Sequence, residues 1–561
     1  MILAFACIVL VSWAVRYPLV DHERYQTDSY FIHFLSRQVV EDGYAKWTLD
    51  PLSYFGYYPI SYPSAVPFLY AEISQLTGAD VEMSILLGNM VFTTIFALVA
   101  FCLSREFLNR VEYALLASLL VVLGPRLVDT TYWDGSARGP AVVLITLVVF
   151  MSLRYSRTSQ MHLLSLVIPA SVACFATHHM AVLLILYGAA YLFSSVSSHY
   201  SMRMISRRRR GLAVTTSAVG MTVIVLVVFS MLGLLKESFE RSFGSTNFLS
   251  GESTGIAIVA NMLVSYTQQI GLIILPAALG LVVTVWGKYF TVRSLMPMGI
   301  LIAFIPVLGS TLYVSMLLAP FVVVLGLVGI AFMMRKSVAK SIALVLLLVI
   351  VASSVVLPLW SVSRWNTGEY STGDVVEVDN GLFNDAAYLQ SIAEHRYTIA
   401  SGMGLSTKLS ALTDAYLLGS GVQSIVNGDI GADELKDNVT LSESAFPNNL
   451  FSLFEFKQSH FIESYVLGLM VGGTDIVKNS SDDVWTTNGY ATHHASLFVV
   501  VDNSRPTQYS YAYGNYHSIF LTEVESASIH NTQASLDSYA LYVSQGISIY
   551  LVRLPVPGTT S

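Results

Sequence analysis

The feature that most constrains this chain is a series of apolar segments separated by basic loops. Of its 561 residues, 54% are hydrophobic and only 12% are charged, about half the charged share of a soluble globular protein. A helix of roughly 20 apolar residues crosses the hydrocarbon core of a bilayer. The sequence therefore predicts an α-helical polytopic protein of the lipid bilayer.

Eleven segments are candidate transmembrane helices, although several need flanking residues to reach a full span. They are residues 2–20, 83–103, 114–128, 140–153, 163–175, 181–196, 212–235, 270–286, 295–312, 314–334 and 339–360. The first segment lacks a basic start and a small-residue cleavage site, so we interpret it as a retained helix rather than a signal peptide.

The loops between these segments alternate in charge. Lys and Arg fall in every second gap, as expected where alternate loops face the cytoplasm. These residues are Arg105, Arg110, Arg154, Arg157, Arg203, 207–210, Lys288, Arg293, Arg335, Lys336 and Lys340. The pattern predicts a cytoplasmic N-terminus, and it places loop 21–82, loop 236–269 and the C-terminal tail outside the cytoplasm.

The charge balance divides the chain near residue 361. Residues 362–561 hold eight basic and 21 acidic residues, whereas the preceding part holds 22 basic and 16 acidic ones. We expect a transmembrane domain at 1–361 and a soluble extracytoplasmic α/β domain at 362–561. The one basic run, 207–210, flanks a span, which disfavours a nucleic-acid partner. The three cysteines lie in apolar stretches and indicate no disulfide framework.

Local patterns predict further elements on the outer side. In loop 21–82 we expect helices at 29–40 and 65–76. In the tail we expect helices at 384–394 and 407–418, strands at 375–378, 397–401 and 496–501, and a hairpin of 539–543 with 547–552.

The first long loop contains RYQTDSYF at 24–31, then Asp42-Gly43, Trp47, Asp50-Pro51 and YPSAVP at 62–67. This loop resembles the first external loop of the C-type (GT-C) membrane glycosyltransferases, especially the catalytic subunits of archaeal oligosaccharyltransferases. The resemblance implies that Asp28 is the catalytic carboxylate, and that the sugar donor is linked to a polyprenyl phosphate.

Weaker similarity continues at 131–139 (TYWDGSARG), where relatives carry a second acidic motif, and at Thr177-His178-His179. Glu252 matches a position at which oligosaccharyltransferases place a glutamate. Two departures accompany these matches. Relatives pair two closely spaced acids around a divalent cation, whereas Asp129 and Asp134 are five apart, so the use of Mg²⁺ or Mn²⁺ stays open. The acceptor-binding WWDYG signature is absent, and 485–490 reads WTTNGY.

Each candidate residue also has a structural interpretation. Asp28 is either a general base or the N-cap of a helix that starts near Ser29.

The four charged residues at the edge of a span either pair locally, Arg126 with Asp129 and Asp134 with Arg138, or form a functional site. Arg138, at a helix start, also suits a phosphate.

His178 and His179 either mark the polar end of short spans or bind the donor phosphate or a metal.

The favoured function is an inverting membrane glycosyltransferase that moves a sugar from a polyprenyl-phosphate donor to a glycan, lipid or protein acceptor outside the cytoplasm. An alternative is oligosaccharide transfer to Asn of proteins. Alternatives of another class are a membrane transporter and a non-catalytic cell-surface assembly protein. A transporter is disfavoured because the sequence shows no paired halves, and because its charges crowd one edge of the spans.

Overall fold

The structure is a computed structural model of the 561-residue chain. It describes residues 1–18, 27–43, 65–108, 110–203, 255–285, 291–308, 311–335, 337–366, 380–393, 397–400, 408–409, 411–413, 416–418, 440–442, 476–479, 484–487, 496–502, 540–543 and 547–553. The chain divides into two compact units, one of 1–19 with 86–367 and one of 20–85 with 368–561. Each is described by itself, and the predicted boundary at 361/362 stays a prediction.

The first unit is helical. Its helices are α1 (Ile2–Val15), most of α4 (Val81–Phe107), α5 (Val111–Val122), α6 (Pro125–Asp129), α7 (Arg138–Thr158), α8 (Met161–Thr177), α9 (Leu184–Arg203), α10 (Gly255–Ile270), α11 (Ile274–Val285), α12 (Val292–Phe304), α13 (Thr311–Met334) and α14 (Ser337–Asn366). Two short 3₁₀ helices, η1 (His179–Leu183) and η2 (Ile305–Val307), follow α8 and α12.

Within the described ranges, five helices are long and apolar enough to cross a membrane. They lie in α4, α7, α9, α13 and α14. A sixth span results if the pair 262–270 and 274–284, which is bent by 100°, crosses as one. Four shorter apolar helices add to this set. The protein is thus a multi-pass membrane protein; the count of eleven stays a prediction, since segment 212–235 lies outside the described residues.

One predicted span and one predicted loop differ from the observed helices. Segment 114–128 is not one helix, because α5 ends at Val122 and Pro125 starts the separate helix α6. Proline lacks the backbone N–H that a continuing helix needs. Part of the predicted loop 236–269 is helical, since α10 runs to Ile270, and Gly271 makes the bend with a φ of +100°.

The helices of this unit pack closely where glycine removes the side chain. A Cβ on Gly280 of α11 would lie 1.8 Å from the backbone oxygen of Leu325 in α13. At the end of the bundle where α4 and α7 finish, buried Glu106 pairs with Arg154 at 2.9 Å and with Arg157 at 3.4 Å. These contacts fix the helices that carry the candidate site at the other end of α7.

The second unit contains α2 (Thr27–Asp42), α3 (Ala65–Thr77) and α15 (Asn380–Ala393). Its strands are β1 (Tyr397–Ala400), β2 (Tyr416–Leu418), β3 (Thr440–Ser442), β4 (Ile476–Asn479), β5 (Val484–Thr487), β6 (Ser496–Asp502), β7 (Ala540–Val543) and β8 (Ile547–Arg553). A mixed sheet has the order β2-β1-β6-β8-β7, and an antiparallel sheet has the order β3-β5-β4.

Several local predictions are confirmed: both helices of the first loop, helix 384–394, strands 397–401 and 496–501, and the antiparallel β7–β8 hairpin. The predicted helix 407–418 is confirmed only in its first part. Residues 408–409 and 411–412 are helical, whereas 416–418 form β2, which pairs in parallel with β1. The predicted strand 375–378 lies outside the described residues.

Helix α2 is attached to the tail. Arg37 donates to the backbone oxygens of Ala411, at 2.8 Å, and Thr413. In a membrane protein this contact requires that loop 21–82 and the tail lie on the same side. The chain must therefore cross the membrane an even number of times between them, and the ten spans predicted there agree with that requirement.

Candidate active site

Polar residues gather at the end of the first unit where α7 and α13 begin and α8 ends. The loop cluster, as we call it, consists of Arg126, Asp129, Asp134, Arg138, His178 and Tyr313. All but Tyr313 were candidates from the sequence. The structure thus brings together residues from four separate parts of the chain.

Arg126 and Asp129 lie on the short helix α6, three residues apart. Their charged groups approach to 3.7 Å, so the local pairing that the sequence suggested is present for these two residues. The Arg126 side chain is 12% exposed, so the pair is largely shielded from water. Asp134, Arg138 and Tyr313 also lie near enough to interact electrostatically with Arg126. A cation held in this way among mixed charges is suited to bind an anion.

Arg138 is the first residue of α7. Its guanidinium carbon lies over the ring of Tyr313, 5.3 Å from the ring centre, in a cation–π contact. The first turn of a helix also presents backbone N–H groups and the positive end of the helix dipole. Arg138 therefore combines a full charge with the partial charge of the helix end.

His178 caps the 3₁₀ helix η1. Its Nδ1 accepts a hydrogen bond of 2.9 Å from the backbone N–H of Met180, so the proton of the neutral ring is on Nε2. Its ring centre lies 6.4 Å from that of Tyr313. His178 thus follows the end of α8 and makes a local cap contact, and both of its interpretations stay predictions.

Asp134 lies in the buried segment between α6 and α7 and is 1% exposed. Its backbone oxygen accepts a hydrogen bond of 2.8 Å from Nδ2 of Asn89 in α4. The preceding residue, Trp133, has a φ of +44°, in the left-handed region that bulky residues rarely adopt. Strained backbone of this kind is found preferentially at functional sites.

Three of the predicted site residues are described only in part or not at all. Asp28 is the second residue of α2, so it does not take the N-cap position that a helix start near Ser29 predicted. It belongs to the other unit, and its side chain lies outside the described residues. The side chain of His179 and the whole of Glu252 also lie outside them.

Sequence patterns missed Arg16, Asn89 and Tyr313. Arg16 follows α1 and is 0% exposed. Its Nε donates to Oγ1 of Thr131 at 2.8 Å, across 115 positions of sequence. An arginine at the end of an apolar segment was the available signal for Arg16, but nothing in the sequence indicated its partner.

The described residues hold no group of three or more His, Cys, Asp or Glu side chains able to bind a metal ion. Asp129 and Asp134 belong to the loop cluster, whereas Glu252 lies outside the part of the chain that the structure describes. The structure thus gives a mixed-charge, partly aromatic cluster suited to an anion.

Comparison with known proteins gives structural matches only. No protein-family model matches the sequence, and no curated protein matches it. Solved structures of the same fold include the Archaeoglobus fulgidus oligosaccharyltransferase tethered with an acceptor peptide containing the NVT sequon. That structure has a TM-score of 0.53 and 10% identity, over 97% of this chain and 79% of that one.

Two further structures extend the comparison. Archaeal oligosaccharyltransferase AglB from A. fulgidus, in complex with an inhibitory peptide and a dolichol-phosphate, has a TM-score of 0.52 and 12% identity, over 90% of this chain and 70% of that one. Apo ArnT from Cupriavidus metallidurans has a TM-score of 0.51 and 12% identity, over 98% of this chain and 97% of that one. The chain therefore has the fold of the C-type membrane glycosyltransferases.

Proposed function

We propose that the protein is a membrane glycosyltransferase that moves a sugar from a polyprenyl-phosphate donor to an acceptor outside the cytoplasm. The observation that carries this proposal is the loop cluster, which places Arg138, Arg126 and His178 at one end of an apolar bundle. A lipid phosphate is an anion attached to an apolar chain. The cations of the loop cluster suit the phosphate, and the apolar helices suit the lipid chain.

The comparisons support the same ligand class. Archaeal oligosaccharyltransferase AglB, of this fold, was solved with a dolichol-phosphate, and a structure of an A. fulgidus oligosaccharyltransferase holds zinc and sulfate. In the present chain the phosphate would contact Arg138 and His178. Arg126, paired with Asp129 in the same cluster, would add a second positive charge.

Asp28 is the proposed general base. Its assignment rests on the similarity of residues 24–31 to the first external loop of these enzymes. The acceptor must lose a proton as it attacks the anomeric carbon, and a carboxylate can take that proton. The bond to the lipid phosphate breaks, with inversion at that carbon, and the phosphate leaves as a stable anion that needs no separate acid.

A divalent cation, Mg²⁺ or Mn²⁺, would lie near Asp129 and Asp134, with Glu252 as a further acidic candidate. Hard divalent cations prefer carboxylate oxygens. Such an ion would offset the negative charge that develops on the leaving phosphate.

Oligosaccharide transfer to Asn of proteins is the second candidate. It is favoured by the structural similarity to A. fulgidus oligosaccharyltransferase, one structure of which carries an acceptor peptide with a sequon. It is opposed by the sequence of the tail. Residues 485–490 read WTTNGY in place of WWDYG, and the first three of them belong to strand β5.

The test is a comparison of cells with and without the protein, in which lipid-linked sugars and surface glycans are measured by mass spectrometry. Loss of the protein should cause a charged lipid donor to accumulate and one sugar to disappear from an acceptor. A loss of sugar from glycoproteins alone would favour transfer to Asn. Unchanged lipid donors and glycans would contradict both candidates and favour a transporter or an assembly protein.

A further inference from the structure

The segment that joins α6 to α7 is buried and strained. Trp133 is 5% exposed and has a φ of +44°. A bulky residue keeps such a backbone only where the surrounding structure holds it there. The residues that contact this segment must therefore stabilise its strained backbone as well as pack against it.

Two side chains from other helices hold the segment on either side of Trp133. Arg16, after α1, donates from Nε to the hydroxyl of Thr131 at 2.8 Å. Asn89 of α4 donates from Nδ2 to the backbone oxygen of Asp134, also at 2.8 Å. Both donors are buried, with exposures of 0% and 1%, so water does not compete for these hydrogen bonds.

The guanidinium of Arg16 is itself fixed. Nη1 donates to the backbone oxygen of Ser12 at 3.1 Å and to its hydroxyl at 2.9 Å. Nη2 donates to the backbone oxygen of Val122, at the end of α5, at 2.9 Å. Arg16 therefore joins α1, α5 and the strained segment into one framework.

Thr131 transmits this constraint to α7. Its hydroxyl accepts from Arg16 and donates to the backbone oxygen of Leu127 at 2.6 Å, which fixes the side chain. Its methyl group then lies against Gly139, where an added Cβ would be 2.8 Å from Cγ2 of Thr131. Gly139 follows Arg138 directly, so a shift of Thr131 moves the start of α7.

We propose that Arg16 and Asn89 are positioning residues that form a buried clamp on segment 131–134. The clamp holds Trp133 in its strained conformation and thereby fixes Asp134 and Arg138 for the lipid phosphate. The identity of that ligand rests on the proposed function, whereas the clamp rests on the contacts themselves.

The experiment compares matched pairs of variants in the full chain. Asn89→Leu removes the donor at similar volume, and its control is Thr93→Val. Thr93 is equally buried one turn later, and its hydroxyl donates to backbone oxygens of its own helix, those of Asn89 and Met90. Thr131→Val removes the acceptor for Arg16, whereas Thr131→Ser keeps it.

Two quantities are measured for each variant: hydrogen exchange of the amides in 130–139, and the affinity for a labelled polyprenyl-phosphate sugar. Asn89→Leu and Thr131→Val should each speed exchange and weaken binding by about tenfold, the size expected for one buried hydrogen bond. Thr131→Ser keeps the hydroxyl but lacks the methyl group against Gly139, so it should restore slow exchange at 130–134 and only part of the affinity. Thr93→Val should change neither quantity. A purely structural role would lower the unfolding temperature without this pattern of rescue.

The two measurements separate the clamp from the proposed function. Unchanged exchange in both Asn89→Leu and Thr131→Val would overturn the clamp. Faster exchange with unchanged affinity, in a protein that binds the probe, would overturn its positioning role. If the wild-type protein binds no lipid phosphate, the proposed function fails. The positioning of a phosphate-binding site then fails with it. The exchange pattern would in that case show only that the contacts of the clamp are present.

Discussion

Replacing Arg138 by Gln tests whether the loop cluster binds the donor phosphate. A hydrogen bond to a charged group contributes about 1.5–3 kcal/mol, so its loss should raise the Kd for a labelled polyprenyl-phosphate sugar by roughly 10- to 150-fold. Arg110→Gln is the control, because Arg110 is an exposed arginine whose side chain makes no cap bond to α5. It should leave the Kd unchanged.

Tyr313 provides a second perturbation of the same contact. Tyr313→Phe keeps the ring under the guanidinium of Arg138 and should change affinity little. Tyr313→Leu removes the cation–π contact, which contributes about 1 kcal/mol at a half-buried site, so the Kd should rise about fivefold. In the Arg138→Gln background the same change should have almost no effect, since the pair no longer exists. Unchanged affinity in Arg138→Gln would refute the assignment of Arg138 to the donor site. Independent effects of the two changes would refute the contribution of the cation–π contact to that site.

Two further predictions concern topology and packing. In a variant without the three native cysteines, a membrane-impermeant reagent should label a cysteine at Ser480 but not at Ser206, and the reverse pattern would overturn the orientation. Gly280→Ala should lower the unfolding temperature by several degrees, because its Cβ would overlap the backbone oxygen of Leu325, whereas Gly188→Ala, with nothing within 4 Å, should not. Equal unfolding temperatures would contradict the close approach of α11 to α13.

Local sequence patterns predicted elements that depend on neighbours in the chain. Helix 29–40 is observed as α2 and helix 65–76 as α3, because their apolar spacing is local information. The end of segment 407–418 was mispredicted for the opposite reason. Residues 416–418 become β2 only through parallel pairing with β1, which lies beyond the reach of a local pattern.

The candidate site was predictable in composition but not in geometry. Ionisable residues at the edge of a span are energetically costly and therefore easy to recognise in a sequence. Arg126, Asp134 and Arg138 were candidates for this reason. The contacts that arrange them are long-range, as with Arg16 and Thr131, and no periodicity reports such a pairing. Tyr313 was missed because one tyrosine at the start of an apolar helix resembles an ordinary interface residue.

The most direct test of the central claim is sugar transfer by purified Asp28→Asn protein, with and without Mg²⁺ or Mn²⁺. Asparagine keeps the size and polarity of the side chain but cannot accept the proton. Loss of a general base costs about 10² to 10⁴ in rate, so transfer should fall at least about a hundredfold over a range of pH, while unfolding temperature and donor binding stay unchanged. Near-normal turnover in this variant would contradict the assignment of Asp28 as the catalytic carboxylate.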